Sequence, residues 1–132
     1  MRVTDVKMES YRWPRKRPIR NGRYIYPTSG LDIVTIETDE GVTGIGLSGG
    51  VQEFPTIGME ILAYLKQYVL GQDPFDTERI WDDMWQPKLV GRRGITTRVI
   101  SGIDIALWDL KGKAAGVPLY KLARKGKTVE RE

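Results

Sequence analysis

Apolar residues recur every three or four positions across residues 95–122, a spacing that predicts one long buried helix. The stripe consists of Ile100, Ile103, Leu107, Leu110 and Ala114. Thr96 and Thr97 are candidate N-caps, and Gly116, just before a Val-Pro pair, is a typical stop signal. The segment is therefore predicted to be the core helix against which the rest of the chain packs.

Three earlier stretches alternate between apolar and polar residues, as β-strands do. Residues 1–11 alternate loosely, residues 31–38 alternate strictly, and residues 42–47 follow an Asp-Glu-Gly turn. Two strands joined by a tight turn are antiparallel, and the amino-terminal strand is the natural third member of their sheet. The pattern predicts a three-stranded antiparallel meander.

Helical spacing returns after the strands, in residues 57–69 and 76–89. Asp76 is the predicted N-cap of the second of these helices, and Pro87 is its predicted end. Strands followed by helices are typical of an α+β domain, in which a helical bundle packs on a sheet. The 132 residues of the chain suit one domain of ordinary size.

Residues 13–30 interrupt the alternation with three prolines and many basic residues, so we predict a long loop there. An acid-free basic segment that begins one residue earlier contains the cations Arg12, Arg15, Lys16, Arg17, Arg20 and Arg23. Guanidinium groups beside Trp13, Tyr24 and Tyr26 are suited to binding a carboxylate or a phosphate. A small anionic ligand is the favoured interpretation, and single-stranded nucleic acid or no ligand at all are the alternatives.

The composition excludes several kinds of chemistry. The chain has no cysteine, hence no disulfide and no thiolate, and no histidine, the commonest general base and metal ligand. Its formal net charge is only +4. No stretch is long and apolar enough for a membrane span, and residues 1–11 do not resemble a signal peptide, so we expect a cytoplasmic protein.

Individual charged residues on the predicted helices have simple structural interpretations. Asp104 lies beside the apolar stripe, and a carboxylate bonded to neighbouring backbone or Arg groups is favoured over a catalytic acid. Lys111 and Lys113 diverge by about 200° on a helix, so we interpret them as solvated helix-end cations rather than paired bases. The acids of residues 76–89 are interpreted as a solvated face rather than as a metal site.

Residues 101–113, SGIDIALWDLKGK, followed by GVPLY at 116–120, resemble the amino-terminal domain of the mandelate racemase and muconate lactonising enzyme branch of the enolase superfamily. The EGVTGIG hairpin at 40–46 and an Asp-Pro pair ahead of Trp81 and Trp85 support the resemblance. It covers residues 1–122 and leaves residues 123–132 as a charged tail. Within the branch, acid-sugar dehydratases are the nearest in character.

The resemblance implies a capping domain, or lid, over a (β/α)₇β barrel that holds Mg²⁺ and removes the proton α to a carboxylate, leading to racemisation, dehydration or cycloisomerisation. A barrel needs about 200 residues or more, which this chain does not contain. We therefore expect no catalytic residue, metal ligand or cofactor here, and no activity of the chain alone. Mg²⁺ is expected in the parent enzyme's barrel.

The same resemblance assigns substrate selection to the loops after the first and third strands, residues 13–30 and 48–56. The candidate substrate-binding residues are Trp13, Arg15, Arg20, Tyr24, Tyr26 and Ser48. The partner expected from the arginine-rich loop is a small anionic substrate such as a sugar acid, bound only together with a barrel. A homo-oligomer is expected and no membrane. The alternative is a stand-alone basic module that binds protein or, less favoured, nucleic acid.

Overall fold

Three strands precede four helices within residues 1–49, 55–85 and 94–123, which are the residues that the computed structural model describes. The elements are β1 Val3–Arg20, β2 Ile25–Thr38, β3 Thr43–Ser48, α1 Pro55–Val69, α2 Thr77–Met84, α3 Ile95–Ala114 and α4 Leu119–Ala123. The sheet order is β1-β2-β3 with both pairs antiparallel. The α+β prediction, a meander sheet followed by helices, is confirmed.

The strict alternation of β2 separates the two faces of the sheet. Val34 and Ile36 are buried against the helices, whereas Ile33 and Thr35, on the opposite face, are only partly buried. The inner face joins one continuous core with α1, α2 and α3. Its fully buried side chains include Val6, Ile36, Leu65, Ile80, Ile103 and Leu107. Burial of these apolar surfaces is the main stabilising contribution to such a fold.

The packing of α3 on β3 depends on glycine. A Cβ atom added to Gly44 would lie 2.0 Å from the carbonyl oxygen of Ala106, and one added to Gly46 would lie 2.0 Å from that of Gly102. Both clashes are with helix backbone, which a side-chain rotation cannot relieve. The alternating glycines of β3 therefore allow the core helix to approach the sheet closely.

The prediction of a loop over residues 13–30 is wrong. β1 continues to Arg20 and β2 begins at Ile25, so this region is a long β-hairpin. Proline is tolerated because the hairpin is exposed and residues 15–18 of β1 bulge opposite Pro27, where no regular ladder bond is required. Aromatic and β-branched residues in the second half of the segment favour the extended conformation.

The ends of α3 differ in how well they were predicted. Neither Thr96 nor Thr97 is the N-cap, because the cap position is Gly94 with φ of 116° and no side-chain capping bond. The predicted stop is confirmed: Gly116 has φ of 62°, and Val117 N–H donates to the Gly112 carbonyl, which is a Schellman ending. The core helix thus begins without a side-chain cap and ends with a glycine cap.

Other predicted boundaries are only partly testable. α2 has Asp76 at its N-cap position, as predicted, but ends at Met84. Pro87 and the charged tail from residue 124 onward lie outside the described residues, so the predicted domain boundary at residue 122 stays a prediction. Within the described part of the chain, every helix is too short or too polar to cross a lipid bilayer.

Candidate functional site

The feature that stands out from the domain is the distal part of the β1–β2 hairpin, residues 13–28, which we call the arm. Nearly all of its residues are exposed, and large side chains such as Ile19, Tyr24 and Ile25 are more than half exposed. Of the six residues predicted to bind substrate, five lie on the arm: Trp13, Arg15, Arg20, Tyr24 and Tyr26. The arm is therefore the candidate functional site.

The arm is fixed to the sheet at its base by a buried carboxylate. Asp32 is 3% exposed, and its Oδ1 atom accepts hydrogen bonds from Ser10 Oγ at 2.5 Å and Arg12 Nη2 at 2.9 Å. Arg12 Nη1 also donates to the carbonyl of Tyr11 at 2.8 Å. Arg12, which the sequence grouped with the ligand-binding cations, therefore stabilises the base of the arm.

Midway along the arm, residues 15–18 form what we call the cationic bulge. These residues, Arg-Lys-Arg-Pro, lie opposite Pro27 alone, between the pairs Pro14 with Thr28 and Ile19 with Tyr26. Arg15 Nε donates to the carbonyl of Thr28 at 2.9 Å and ties the bulge to β2. Bulges redirect side chains, so this one concentrates three cations at one point of the hairpin.

A short turn at residues 21–24 closes the arm. Asn21 Oδ1 accepts a hydrogen bond from the Tyr24 backbone N–H at 3.0 Å, and Asn21 Nδ2 donates to the Tyr26 hydroxyl at 3.3 Å. The guanidinium of Arg23 lies 6.0 Å from the centre of the Tyr24 ring. The turn thereby holds Tyr24 close to a cation and binds the hydroxyl of Tyr26.

The arm does not gather all of its predicted site residues on one side. Arg20 pairs with Ile25 and Ile19 pairs with Tyr26, so Arg20 and Tyr26 lie on opposite faces of the hairpin. Within the described residues, the cations Arg15, Lys16, Arg17, Arg20 and Arg23 form no ion pair. They are consequently available to an anionic partner.

Ser48, the sixth predicted site residue, lies away from the arm. It is 3% exposed at the end of β3, and its hydroxyl donates to the backbone carbonyl of Arg98 in α3 at 3.2 Å. This bond joins sheet and helix. A direct role of Ser48 with substrate stays a prediction, and most of the predicted second loop, residues 50–54, lies outside the described residues.

Apart from the arm, the described residues form a cleft between α2 and α3, with a volume of about 360 Å³. It is lined by Thr77, Glu78, Trp81, Asp82, Asp104 and Trp108. Burial raises the pKa of Asp104 above its ordinary value, and the positive charge of Lys111 acts in the opposite direction. Among the described residues, the backbone or Arg partner expected for Asp104 is not found. The cleft thus contains a half-buried acid beside two indole rings.

The two lysines near the end of α3 diverge, as predicted, but they are not merely solvated. Lys111 Nζ lies 3.2 Å from Thr77 Oγ1 and 4.5 Å from the centre of the Trp108 ring, whereas Lys113 binds Asp109 and the Thr43 carbonyl. Asp109 in turn accepts the backbone N–H of Ile45. Each lysine therefore fastens α3 to a different element.

The residues that the structure describes do not fit a divalent cation. No three aspartate or glutamate side chains among them converge closely enough to hold a metal.

The cationic bulge is the site feature that sequence reasoning missed, since its residues were assigned to a loop. The available signal was the trio Pro14, Pro18 and Pro27, which marks positions where a hairpin ladder cannot continue regularly.

Comparison with known proteins relates this geometry to one family. The model for "Mandelate racemase / muconate lactonizing enzyme, N-terminal domain" matches residues 3–123. D-mannonate dehydratase of Novosphingobium aromaticivorans is 39% identical over 113 residues, which cover 79% of this chain and 26% of that protein. D-galactonate dehydratase of Xanthomonas campestris is 39% identical over 90 residues, covering 66% of this chain and 22% of that protein.

The fold is found in solved structures of the same superfamily. A crystal structure of an L-talarate/galactarate dehydratase mutant, liganded with Mg and L-glucarate, superposes with a TM-score of 0.81 at 32% identity, covering 93% of this chain and 33% of that chain. The chain spans about a quarter of the length of the curated relatives it matches. The chain belongs to the mandelate racemase/muconate lactonizing enzyme N-terminal domain family, and the named relatives are acid-sugar dehydratases.

Proposed function

We propose that this chain is the substrate-specificity lid of a Mg²⁺-dependent enolase-superfamily enzyme, an acid-sugar dehydratase or racemase that removes the α-proton of a carboxylate substrate. The observation that supports the proposal is the arm, a cationic hairpin without an acid that extends from a fixed sheet. Its cations form no ion pairs within the described residues. The family and the acid-sugar dehydratase relatives supply the reaction class.

The arm has the groups that an acid sugar requires. Guanidinium groups donate paired N–H bonds to a carboxylate and single ones to hydroxyls, with a strength that neutral donors lack. Trp13, Tyr24 and Tyr26 are 40–56% exposed and offer apolar surface with polar edges. When the arm covers a bound substrate, these side chains exclude water and the cations orient the anion.

The chemical steps belong to another part of the parent enzyme in this proposal. The family resemblance implies that the ligands of Mg²⁺ and the bases lie in the barrel domain, where the metal would stabilise the enediolate. The chain alone is expected to be inactive. A cytoplasmic location and a homo-oligomeric parent enzyme are part of the same proposal.

The alternative, a stand-alone basic module, receives no support from the comparisons. A nucleic-acid binder would show affinity that falls steeply with salt. We expect no binding of a fluorescent single-stranded oligonucleotide to the chain at physiological salt, measured by anisotropy. Tight, salt-sensitive binding would favour the alternative over the lid.

The lid proposal is tested by joining the chain to the barrel of the N. aromaticivorans D-mannonate dehydratase in place of that enzyme's own amino-terminal domain. We expect Arg17→Ala or Arg20→Ala to raise KM for a sugar acid by about tenfold or more, because each removes a charge-assisted hydrogen bond. Lys121→Ala, an exposed cation on α4, is the matched control and should leave KM unchanged. Equal KM values for all variants would overturn the proposal.

A further inference from the structure

The side-chain amide of Asn21 is held in one orientation at the closed end of the arm. Its Oδ1 atom accepts the backbone N–H groups of Tyr24 at 3.0 Å and of Arg23 at 3.4 Å. Backbone N–H groups only donate, so the amide atom that faces them is the oxygen. The amide nitrogen is therefore turned away from the backbone and toward the Tyr26 hydroxyl, 3.3 Å away.

This orientation fixes the direction of the hydrogen bond between Asn21 and Tyr26. The amide nitrogen has protons and no acceptor lone pair, so it donates and the phenol oxygen accepts. Among the described residues, no acceptor receives the phenol's own proton. Tyr26 is 40% exposed, so its O–H group is open to a molecule bound from outside. Asn21 thus keeps Tyr26 as an outward hydrogen-bond donor.

Tyr26 lies on the side of the arm that continues the helix-bearing face of the sheet. Tyr26 and Asp32 are an even number of positions apart on β2, and alternate residues of a strand share a face. Asp32 pairs with Ser48, the last residue of β3, so the arm leaves the sheet at the end where β3 finishes. Tyr26 is therefore on the same face as Ser48, the first residue of the second predicted substrate loop.

We propose that Tyr26 is a specificity-determining residue of the lid and that Asn21 is its positioning residue. The Tyr26 hydroxyl donates a hydrogen bond to a hydroxyl oxygen of the acid sugar, and Asn21 holds this hydroxyl in the donating state. The inference rests on the lid proposal, because the donor needs a substrate under the arm to supply its acceptor.

The donor adds a kind of selection that the cations of the arm do not provide. Positive charge attracts every sugar acid through its carboxylate, which all of them share. An oriented neutral O–H group instead favours the substrate whose hydroxyl oxygen lies in line with it. Stereoisomeric sugar acids differ only in the placement of such oxygens. The cations therefore attract the anion, and Tyr26 discriminates between stereoisomers.

Two substitutions in the fusion with the D-mannonate dehydratase barrel test the donor. Tyr26→Phe removes the hydroxyl. Asn21→Asp keeps an oxygen for the backbone N–H groups but replaces the amide nitrogen by an oxygen that accepts the phenol proton. Both should change the ratio of kcat/KM for D-mannonate and D-galactonate by about tenfold, because a hydrogen bond to one of them is lost. The change should appear in KM and not in kcat, since this bond is made equally in the ground and transition states.

Matched variants separate the hydrogen bond from the effect of charge. Gly22→Asp adds the same charge beside Asn21, at a position where an added Cβ meets nothing within 4 Å. Tyr120→Phe removes an exposed hydroxyl on α4. Neither control should change the ratio. A ratio altered by Gly22→Asp as much as by Asn21→Asp would overturn the positioning role, because the added charge alone would explain both results.

Trypsin digestion distinguishes the positioning role of Asn21 from a role in holding the arm together. Asn21→Asp retains the backbone bond from Asn21 N–H to the Tyr24 carbonyl and the acceptor for the Tyr24 N–H. Cleavage within residues 13–28 should therefore be as slow in this variant as in the wild type. Faster cleavage would assign the effect on the ratio to a disrupted turn and would overturn the positioning role.

The arginine variants of the same fusion separate failure of this inference from failure of the lid. If Arg17→Ala and Arg20→Ala raise KM while Tyr26→Phe and Asn21→Asp leave the ratio unchanged, the lid stands and the donor role of Tyr26 is wrong. If none of the four variants changes KM or the ratio, the arm does not contact substrate and both proposals are wrong.

Discussion

Gly46 shows how single residues determine the spacing between sheet and core helix. Because an added Cβ would meet the backbone of Gly102 at 2.0 Å, Gly46→Ala forces β3 and α3 apart. We expect its free energy of unfolding to fall by about 3 kcal/mol, the upper range for overpacking. Urea denaturation measures this, and Gly22→Ala, where the added Cβ meets nothing within 4 Å, is the control. Equal stability of the two variants would contradict the packing account.

Asp104 makes a distinct contribution at the residue scale, visible in the pH dependence of stability. Burial raises its folded-state pKa above the unfolded value. As the pH rises, the unfolded state loses this proton first, so the folded state binds more protons and stability falls with pH. Asp104→Asn removes the effect.

The difference in unfolding free energy between Asp104→Asn and the wild type should therefore grow as the pH rises from the ordinary Asp pKa through the raised one, and level off above it. Urea unfolding at several pH values measures the difference. At pH values below both pKa values, the protonated acid and the amide are near-isosteric and the two proteins should show their smallest difference. A difference independent of pH would mean that the carboxyl group is not desolvated.

At the scale of single residues, prediction from sequence succeeded where the conformational preference of one residue type determines the local structure. Gly116 ends α3 because its φ of 62° suits glycine. The cap at the other end was missed because Gly94, with φ of 116°, takes that position, and nothing in the sequence distinguished it from the adjacent threonines. The strict alternation of residues 31–38 puts Asp32 on the same face as Val34, but its pairing with Arg12 depends on the register of two strands and was not predictable.

At the scale of elements, the arm depends on the ion pair at its base. Arg12→Ala would leave Asp32 buried without its cation, and removal of one partner from a buried pair costs about 3 kcal/mol or more. We expect a correspondingly lower free energy of unfolding, measured by urea denaturation. Arg23→Ala, on the exposed turn, is the matched control and should change stability little.

Trypsin provides an independent measurement on the same pair of variants, since the arm is rich in Arg and Lys. Cleavage within residues 13–28 should be faster in Arg12→Ala than in the wild type, because the base of the hairpin opens more often. If Arg12→Ala were as stable and as resistant to trypsin as Arg23→Ala, the base of the arm would not be held by this contact.

The arm is also where prediction from sequence failed at the element scale. Three prolines and two glycines in residues 13–30 are typical of a loop, yet the segment pairs with itself as a hairpin. The reason is that an isolated, two-stranded ladder has unpaired edges, where a missing donor costs little, and a bulge absorbs the irregular residues. Local propensity could not reveal pairing between residues as far apart as Trp13 and Ser29.

At the scale of the whole molecule, the order of elements was predictable and the surfaces were not. Periodicity alone indicated the meander, the following helices and the core helix, because burial imposes periods of two and 3.6 on the sequence. The sheet face opposite the helices also follows a period of two, but whether its exposed apolar residues, such as Leu31 and Leu47, meet solvent or a partner depends on assembly. In the lid proposal the site is likewise an assembly property, since the arm would contact a substrate held by another part of the parent enzyme.

Exchange of the arm between enzymes tests the lid most directly. In the fusion with the D-mannonate dehydratase barrel, residues 13–28 are replaced by the corresponding segment of that enzyme, and kcat/KM is measured for a panel of sugar acids. If the chain is a specificity lid, the ranking of substrates follows the arm while the barrel stays the same. A ranking that stays the same after the exchange, in an active and folded fusion, would contradict the account.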